Sequence, residues 1–185
     1  MSAPKRDRLL EVSEAVFSKE GFKGVSVDRL LKEAGVAKMT LYKGFESKEA
    51  LICETLRRRA DRLAKHVQAT VEDAGPHARD RLLSCFDAME SWSKREDFNG
   101  CYFINALGEF GGDDSDVGKI VQRYKASFLS QLEPLCQACE VADPKSFARN
   151  VLMLIDGATV IHMTLDDRTG YGRAKAIMST LLKAS

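Results

Sequence analysis

Between Gly35 and Leu51 the chain reads GVAKMTLYKGFESKEAL, a cluster of hydroxyl, ammonium and thioether side chains around few apolar ones. Stepping 100° per residue from Leu41 puts Phe45 at about 40°, on the same edge, and Met39 and Lys43 on the opposite edge. Thr40 and Tyr42 fall on either flank. Such an edge suits a helix lying in a major groove: Met39 and Lys43 would meet base edges, while the flanking hydroxyls donate to phosphates. Lys48 falls at the start of the following helix, where free N–H groups and a partial positive charge favour phosphate. Lys5 and Arg6, read as preceding the first helix, are expected to reach adjacent backbone or minor groove. Gly44 stands just inside the end of the short helix.

Other chemistry-bearing residues form no reacting set. The chain shows no paired nucleophile and base, no phosphate-cradling glycine loop and no clustered metal ligands, so no catalytic residue, metal site or cofactor is expected. Cys136 and Cys139 share a helix face, but neither a second pair nor neighbouring histidines accompany them. Asp113, Asp114 and Asp116 lack the spacing and closing Glu of a calcium loop and read as a solvated turn. His66, His77 and His162 are isolated. Asp156, in an otherwise apolar run, needs either a partner or a place at a helix surface.

The elements that position these residues read as helices throughout. The sequence has 185 residues, 44% of them hydrophobic and 30% charged, with four prolines, and its apolar residues recur at helical rather than alternating spacing. Helices are expected over about 5–20, 27–34, 37–43, 48–74, 77–95, 99–111, 116–140, 144–166 and 171–184. Gly21 and Gly35 close the first two; Ser26 and Ser47 are candidate N-caps. The fourth helix would be roughly 40 Å long at about 1.5 Å per residue, a bridge between two regions. Residues 1–60 carry a net +4 and the remainder −3, within an overall +1, a basic first third compatible with a nucleic-acid footprint. No run of about 18 apolar residues suggests a membrane span. With no apolar signal core at the start, the expected location is cytoplasmic. Five scattered cysteines argue for reduced thiols.

Residues 27–51 match a helix-turn-helix unit. The stretch LLEVSEAVFSKEGFKGVSVDRLLKEAGVAKMTLYKGFESKEAL resembles the N-terminal DNA-binding domain of TetR-family transcriptional regulators. The resemblance rests on Phe17…Gly21-Phe22, Val25–Val27, Ala34-Gly35-Val36, Thr40-Leu41-Tyr42, Phe45 and Ser47-Lys48-Glu49. It implies an all-α fold with a helix-turn-helix domain over 1–50 and a helical effector-binding and dimerisation domain over 51–185. It further implies operator contacts from Lys38, Met39, Thr40, Tyr42, Lys43 and Lys48, and a homodimer formed through helices 144–166 and 171–184. Many members carry a bulky residue, often His, where this chain has Gly44, so a contact from that position is missing.

The segment NGCYFINALGEF also resembles a stretch recurrent in a TetR subgroup. Phe86, Met89, Trp92, Phe103, Phe110, Phe128, Met153 and Met163 are expected mainly as core. The resemblance suggests that Phe86, Met89, Trp92, Phe103, Tyr124 and Phe128 line an effector cavity suited to an apolar or aromatic molecule. Asn105, Asp156 and His162 are further polar candidates. The expected function is a ligand-responsive repressor of a palindromic operator; the alternative is a redox- or electrophile-sensing regulator acting through Cys101.

Overall fold

The structure, a computed structural model, describes residues 3–111 and 114–184, without the side chains of Ala3 and Thr40. The described residues form nine helices and no strand: α1 (Ala3–Glu20), α2 (Val27–Ala34), α3 (Lys38–Gly44), α4 (Lys48–Asp73), α5 (Ala78–Ser93), α6 (Tyr102–Phe110), α7 (Asp116–Ala138), α8 (Pro144–Leu165) and α9 (Gly170–Ala184). Asp113 lies outside the described residues.

Local chemistry sets most of the boundaries. Gly21 (φ 81°) and Gly35 (φ 65°) take the left-handed conformation that ends α1 and α2, a region open to glycine without steric cost. The Ser26 hydroxyl accepts from the Arg29 N–H at the start of α2, and Ser47 accepts from Ala50 at the start of α4. Asp143 caps α8 by accepting from Ser146, and Pro144 takes the first turn, where its missing N–H costs nothing. The sequence extends the sixth helix back to residue 99, but α6 begins at Tyr102. Gly100 interrupts it with φ 86°, and the Met163 side chain fills the space a Cβ there would occupy. Helix α1 begins at Ala3, so Lys5 and Arg6 both lie within its first turns rather than before it.

The chain packs as two compact units, Met1–Asp61 with Tyr102–Arg123, and Arg62–Cys101 with Tyr124–Ser185. Residues 51–61 and 102–123 pack with the N-terminal helices in the first of these units. The first unit closes over Leu9, Leu10, Phe17, Phe22, Leu30, Leu41, Leu51, Ile52 and Leu56, all buried. Burial stabilises each such side chain by about 1.5–3 kcal/mol. The Phe22 ring lies 5.3 Å from Phe17 and 4.9 Å from Tyr102. Within this core, Arg59 donates to Glu14 at 2.9 Å and its guanidinium lies 5.5 Å from the Tyr102 ring centre. The Tyr102 and Thr55 hydroxyls are hydrogen-bonded at 3.0 Å.

The second unit buries Leu82, Phe86, Ala88, Leu132, Val151, Tyr171 and Met178. The Tyr171 hydroxyl pairs with Thr159 at 2.8 Å. Asp156 has its partner in Lys125, 2.7 Å from Oδ2, and Lys175 holds Asp87 in the same way. Met153 and Met163, expected as core, are instead exposed. They join Val160, Ile161, Leu165, Ile177 and Leu181 in an exposed apolar set on α8 and α9.

Candidate nucleic-acid interface

Leu41, 1% exposed, anchors α3 to the first unit's core, and Phe45 is buried beside it. Phe45 reaches the core from an extended C-cap (φ −145°, ψ 131°) rather than from the helix face, its N–H donating to the Leu41 carbonyl at 2.7 Å. Its 40° helical position therefore does not hold, though its burial does. Gly44 is the last residue of α3. Facing out are Met39, 68% exposed, and Tyr42, 57% exposed, with Lys38 and Lys43 also exposed. An uncharged thioether at that exposure gains nothing in water, so its presentation beside Lys43 fits apolar and polar contact with base edges. The Thr40 side chain lies outside the described residues.

The basic residues divide by what already holds them. Lys38 Nζ lies 3.1 Å from Asp28, both exposed. The Asp28 hydrogen bond and charge raise the Lys38 pKa above the usual lysine range. A surface pair of this kind holds weakly and can exchange for a phosphate. Lys48 is half-buried and donates to the Lys23 carbonyl at 3.0 Å; desolvation lowers its pKa, against an opposing pull from Glu109. Two further ammonium protons remain for a phosphate. Arg6 is committed elsewhere, to Glu54 at 2.6 Å with its guanidinium 5.2 Å from the Phe45 ring centre.

Sequence reasoning missed Glu109. On the last turn of α6, it accepts from the Phe22 N–H at 2.8 Å and the Lys23 N–H at 2.7 Å. An acid there opposes the helix dipole, and that misfit, inside the NGCYFINALGEF segment, was the available signal.

Of the proposed effector residues, Phe86, Met89, Trp92, Phe103 and Phe128 are buried and Tyr124 is half-buried. Phe103 belongs to the first unit and the other five to the second. Tyr124 and Phe128 stack at 6.4 Å, while Trp92 packs 5.5 Å from His66 and 4.9 Å from the Arg95 guanidinium. Phe128 lines a recess of about 310 Å³ with Val67, Val71, Arg81, Cys85 and Leu132; the other five residues are not in its wall. His162 lies in a different recess with Phe98 and Arg168.

Burial pushes the Cys85 and Cys136 thiols up to about 12, and Cys53 and Cys139 also upward. Cys101 and Cys139 are half-buried; the other three cysteines are buried. Among the described residues, no group of three or more His, Cys, Asp or Glu side chains is placed to hold a metal ion, and no helix is long and apolar enough to cross a membrane.

An all-helical chain with a helix-turn-helix head and an outward-facing third helix has the architecture of the helix-turn-helix class of proteins. The family profile for bacterial regulatory proteins of the tetR family matches residues 9–55. The structure superposes on a TetR-family transcriptional regulator of Streptomyces coelicolor, SCO4454, with a TM-score of 0.90 at 26% identity, covering 97% of this chain and 95% of that one. Curated relatives include an uncharacterized HTH-type transcriptional regulator of Mycobacterium tuberculosis, MT1294, 25% identical over 69% of this chain. The transcriptional repressor DhaR of Mycobacterium sp. is 29% identical over 74% of it. The chain spans 63% of the length of the first of these relatives and 65% of the second. Residues 9–55 thus match the DNA-binding segment of the tetR family, and the chain as a whole is similar in fold to a TetR-family regulator.

Proposed function

We propose that this chain is a DNA-binding transcriptional repressor that acts in the cytoplasm as a homodimer and leaves a palindromic operator when a small effector binds. The observation that carries the reading is the exposure of Met39, Tyr42 and Lys43 on a helix pinned by buried Leu41. Met39 and Lys43 read base edges; Lys38, Thr40, Tyr42 and Lys48 hold phosphates and set the register.

The dimer forms through α8 and α9. Leu165 is 74% and Met153 65% exposed, and a recess of about 330 Å³ between these helices is lined by Met153, Gly157, Ile161, Ala174 and Ile177. An unpartnered apolar face of this kind marks an interaction site. The effector reading rests on the recess beside Phe128, whose largely apolar wall suits an apolar or aromatic molecule. The other residues of the second unit proposed for that site, Phe86, Met89, Trp92 and Tyr124, would line a cavity in the ligand-bound conformer. Release follows if the effector prefers a conformer whose two heads do not fit the operator. The partial accessibility of Cys101 favours the thiol-sensing reading as the second choice.

Selection of bound duplexes from a random pool with the full chain tests the reading. A two-fold symmetric sequence with half-sites about 34–36 Å apart, or a multiple of that, is expected, with affinity falling steeply as salt rises. No sequence enriched at low salt would refute it. An oxidant that releases the duplex from the wild type but not from Cys101→Ser would favour the second reading.

A further inference from the structure

We propose that Glu109 is a positioning residue for DNA binding: from α6 it clamps the turn leading into α2 and, through that turn, sets Lys48. The inference rests on the DNA-binding reading above. It concerns residues of the first unit alone, and Glu109 itself touches no DNA.

The turn's hydrogen-bonding groups account for the clamp. The Gly21 N–H closes α1 onto the Phe17 carbonyl at 3.0 Å. The next two N–H groups, of Phe22 and Lys23, converge on the two oxygens of the Glu109 carboxylate at 2.8 and 2.7 Å. The Lys23 carbonyl, on the other side of the same residue, accepts from Lys48 Nζ at 3.0 Å. Consecutive backbone N–H groups converging on one carboxylate form an anion-binding concavity, here occupied by the chain's own acid.

Gly21 shows that the fit is close. A Cβ at this position would lie 2.8 Å from Glu109 Oε1, and φ of 81° already disfavours a side chain. Phe110, next to Glu109, completes the joint, its ring 6.1 Å from Phe22 and 5.5 Å from Lys23 Nζ. Phe22 is buried, so the clamp holds a turn whose side chain is itself part of the core. With the turn fixed, the carbonyl that anchors Lys48 is fixed as well, and Lys48 begins the helix that follows α3.

The sign of one substitution separates positioning from a bystander charge. Glu109→Gln removes a negative charge from a DNA-binding head, which by electrostatics alone tightens binding to a polyanion. It also turns an amide donor toward an N–H donor and breaks one arm of the clamp. The proposal predicts that the full-length Glu109→Gln chain binds the duplex selected by the wild type roughly tenfold more weakly, in keeping with the loss of a charge-assisted hydrogen bond. The slope of log affinity against log salt should stay unchanged, since no phosphate contact is deleted. Glu46→Gln, which removes an exposed acid of the same unit, should bind equally well or better.

Amide exchange gives a readout independent of DNA: Phe22 and Lys23 should exchange faster in Glu109→Gln while the amides of α1 and α4 keep their protection. Binding by Glu109→Gln as tight as or tighter than wild type would overturn the proposal and leave the DNA-binding reading standing. Loss of protection throughout α1–α4 would overturn it too, by making Glu109 a support of the fold. A wild-type chain that selects no duplex would overturn both.

Discussion

Met39 and Lys43 stand four residues apart on α3, both exposed and neither built into the core, so their chemistry is free for recognition. Alanine at either should change which base is preferred at a given position by about 1–3 kcal/mol, read by competition between duplexes differing at one base pair. Tyr42→Phe and Lys48→Ala should instead weaken binding similarly across sequences, and Lys48→Ala should reduce the salt slope by about one ion. Thiol chemistry at this scale follows burial. Cys85 and Cys136, their pKa values pushed up to about 12, stay protonated at pH 8.5, and the thiolate is the reactive form. Iodoacetamide followed by peptide mapping should therefore modify Cys101 and Cys139 first in the folded chain. Fast modification of Cys85 would contradict the packing described for it.

At the scale of elements, the turn between α1 and α2 and the α1–α4 pairing support α3. Gly21→Ala combines a left-handed backbone with a clash against Glu109 and should cost about 1–3 kcal/mol in denaturant unfolding. Arg59→Ala leaves Glu14 as a buried acid without its 2.9 Å partner and should cost about 3–5 kcal/mol. Much of the element layout was legible because local rules set it. Gly21, Gly35, Ser26, Ser47 and Pro144 act on groups within four residues of themselves, and Leu41 declares its burial by spacing. The misfit of Glu109 with its helix end was legible, but not its N–H partners, which lie 87 and 86 residues away with no periodicity to connect them. Arg59 and Glu14, 45 residues apart, were hidden for the same reason. Phe45 was placed rightly in the core by the wrong geometry, because the helix ends one residue earlier than its angular position assumes.

For the whole molecule, the proposed assembly depends on the exposed apolar residues of α8 and α9. Hydrophobic type alone cannot tell a core methionine from an interface methionine, which is why Met153 and Met163 read as core from sequence. Their exposure is a fact of packing. Ile161→Asp should weaken self-association by about 2–4 kcal/mol if this residue sits at the centre of a dimer interface, observed as a shift toward monomer in sedimentation velocity. The effector residues remained the least legible part. Buried aromatics at helical spacing look alike whether they fill a core or wall a cavity, and only Phe128 among the six borders the recess described.

The central claim is that α3 reads DNA with Met39 and Lys43, and parallel selection from one random duplex pool tests it most directly. Wild type, Met39→Ala and Lys43→Ala should each enrich a two-fold symmetric site, with the variants changing preference at symmetry-related base pairs and keeping the spacing between half-sites. Identical selected sequences from all three, at whatever affinity, would contradict the account.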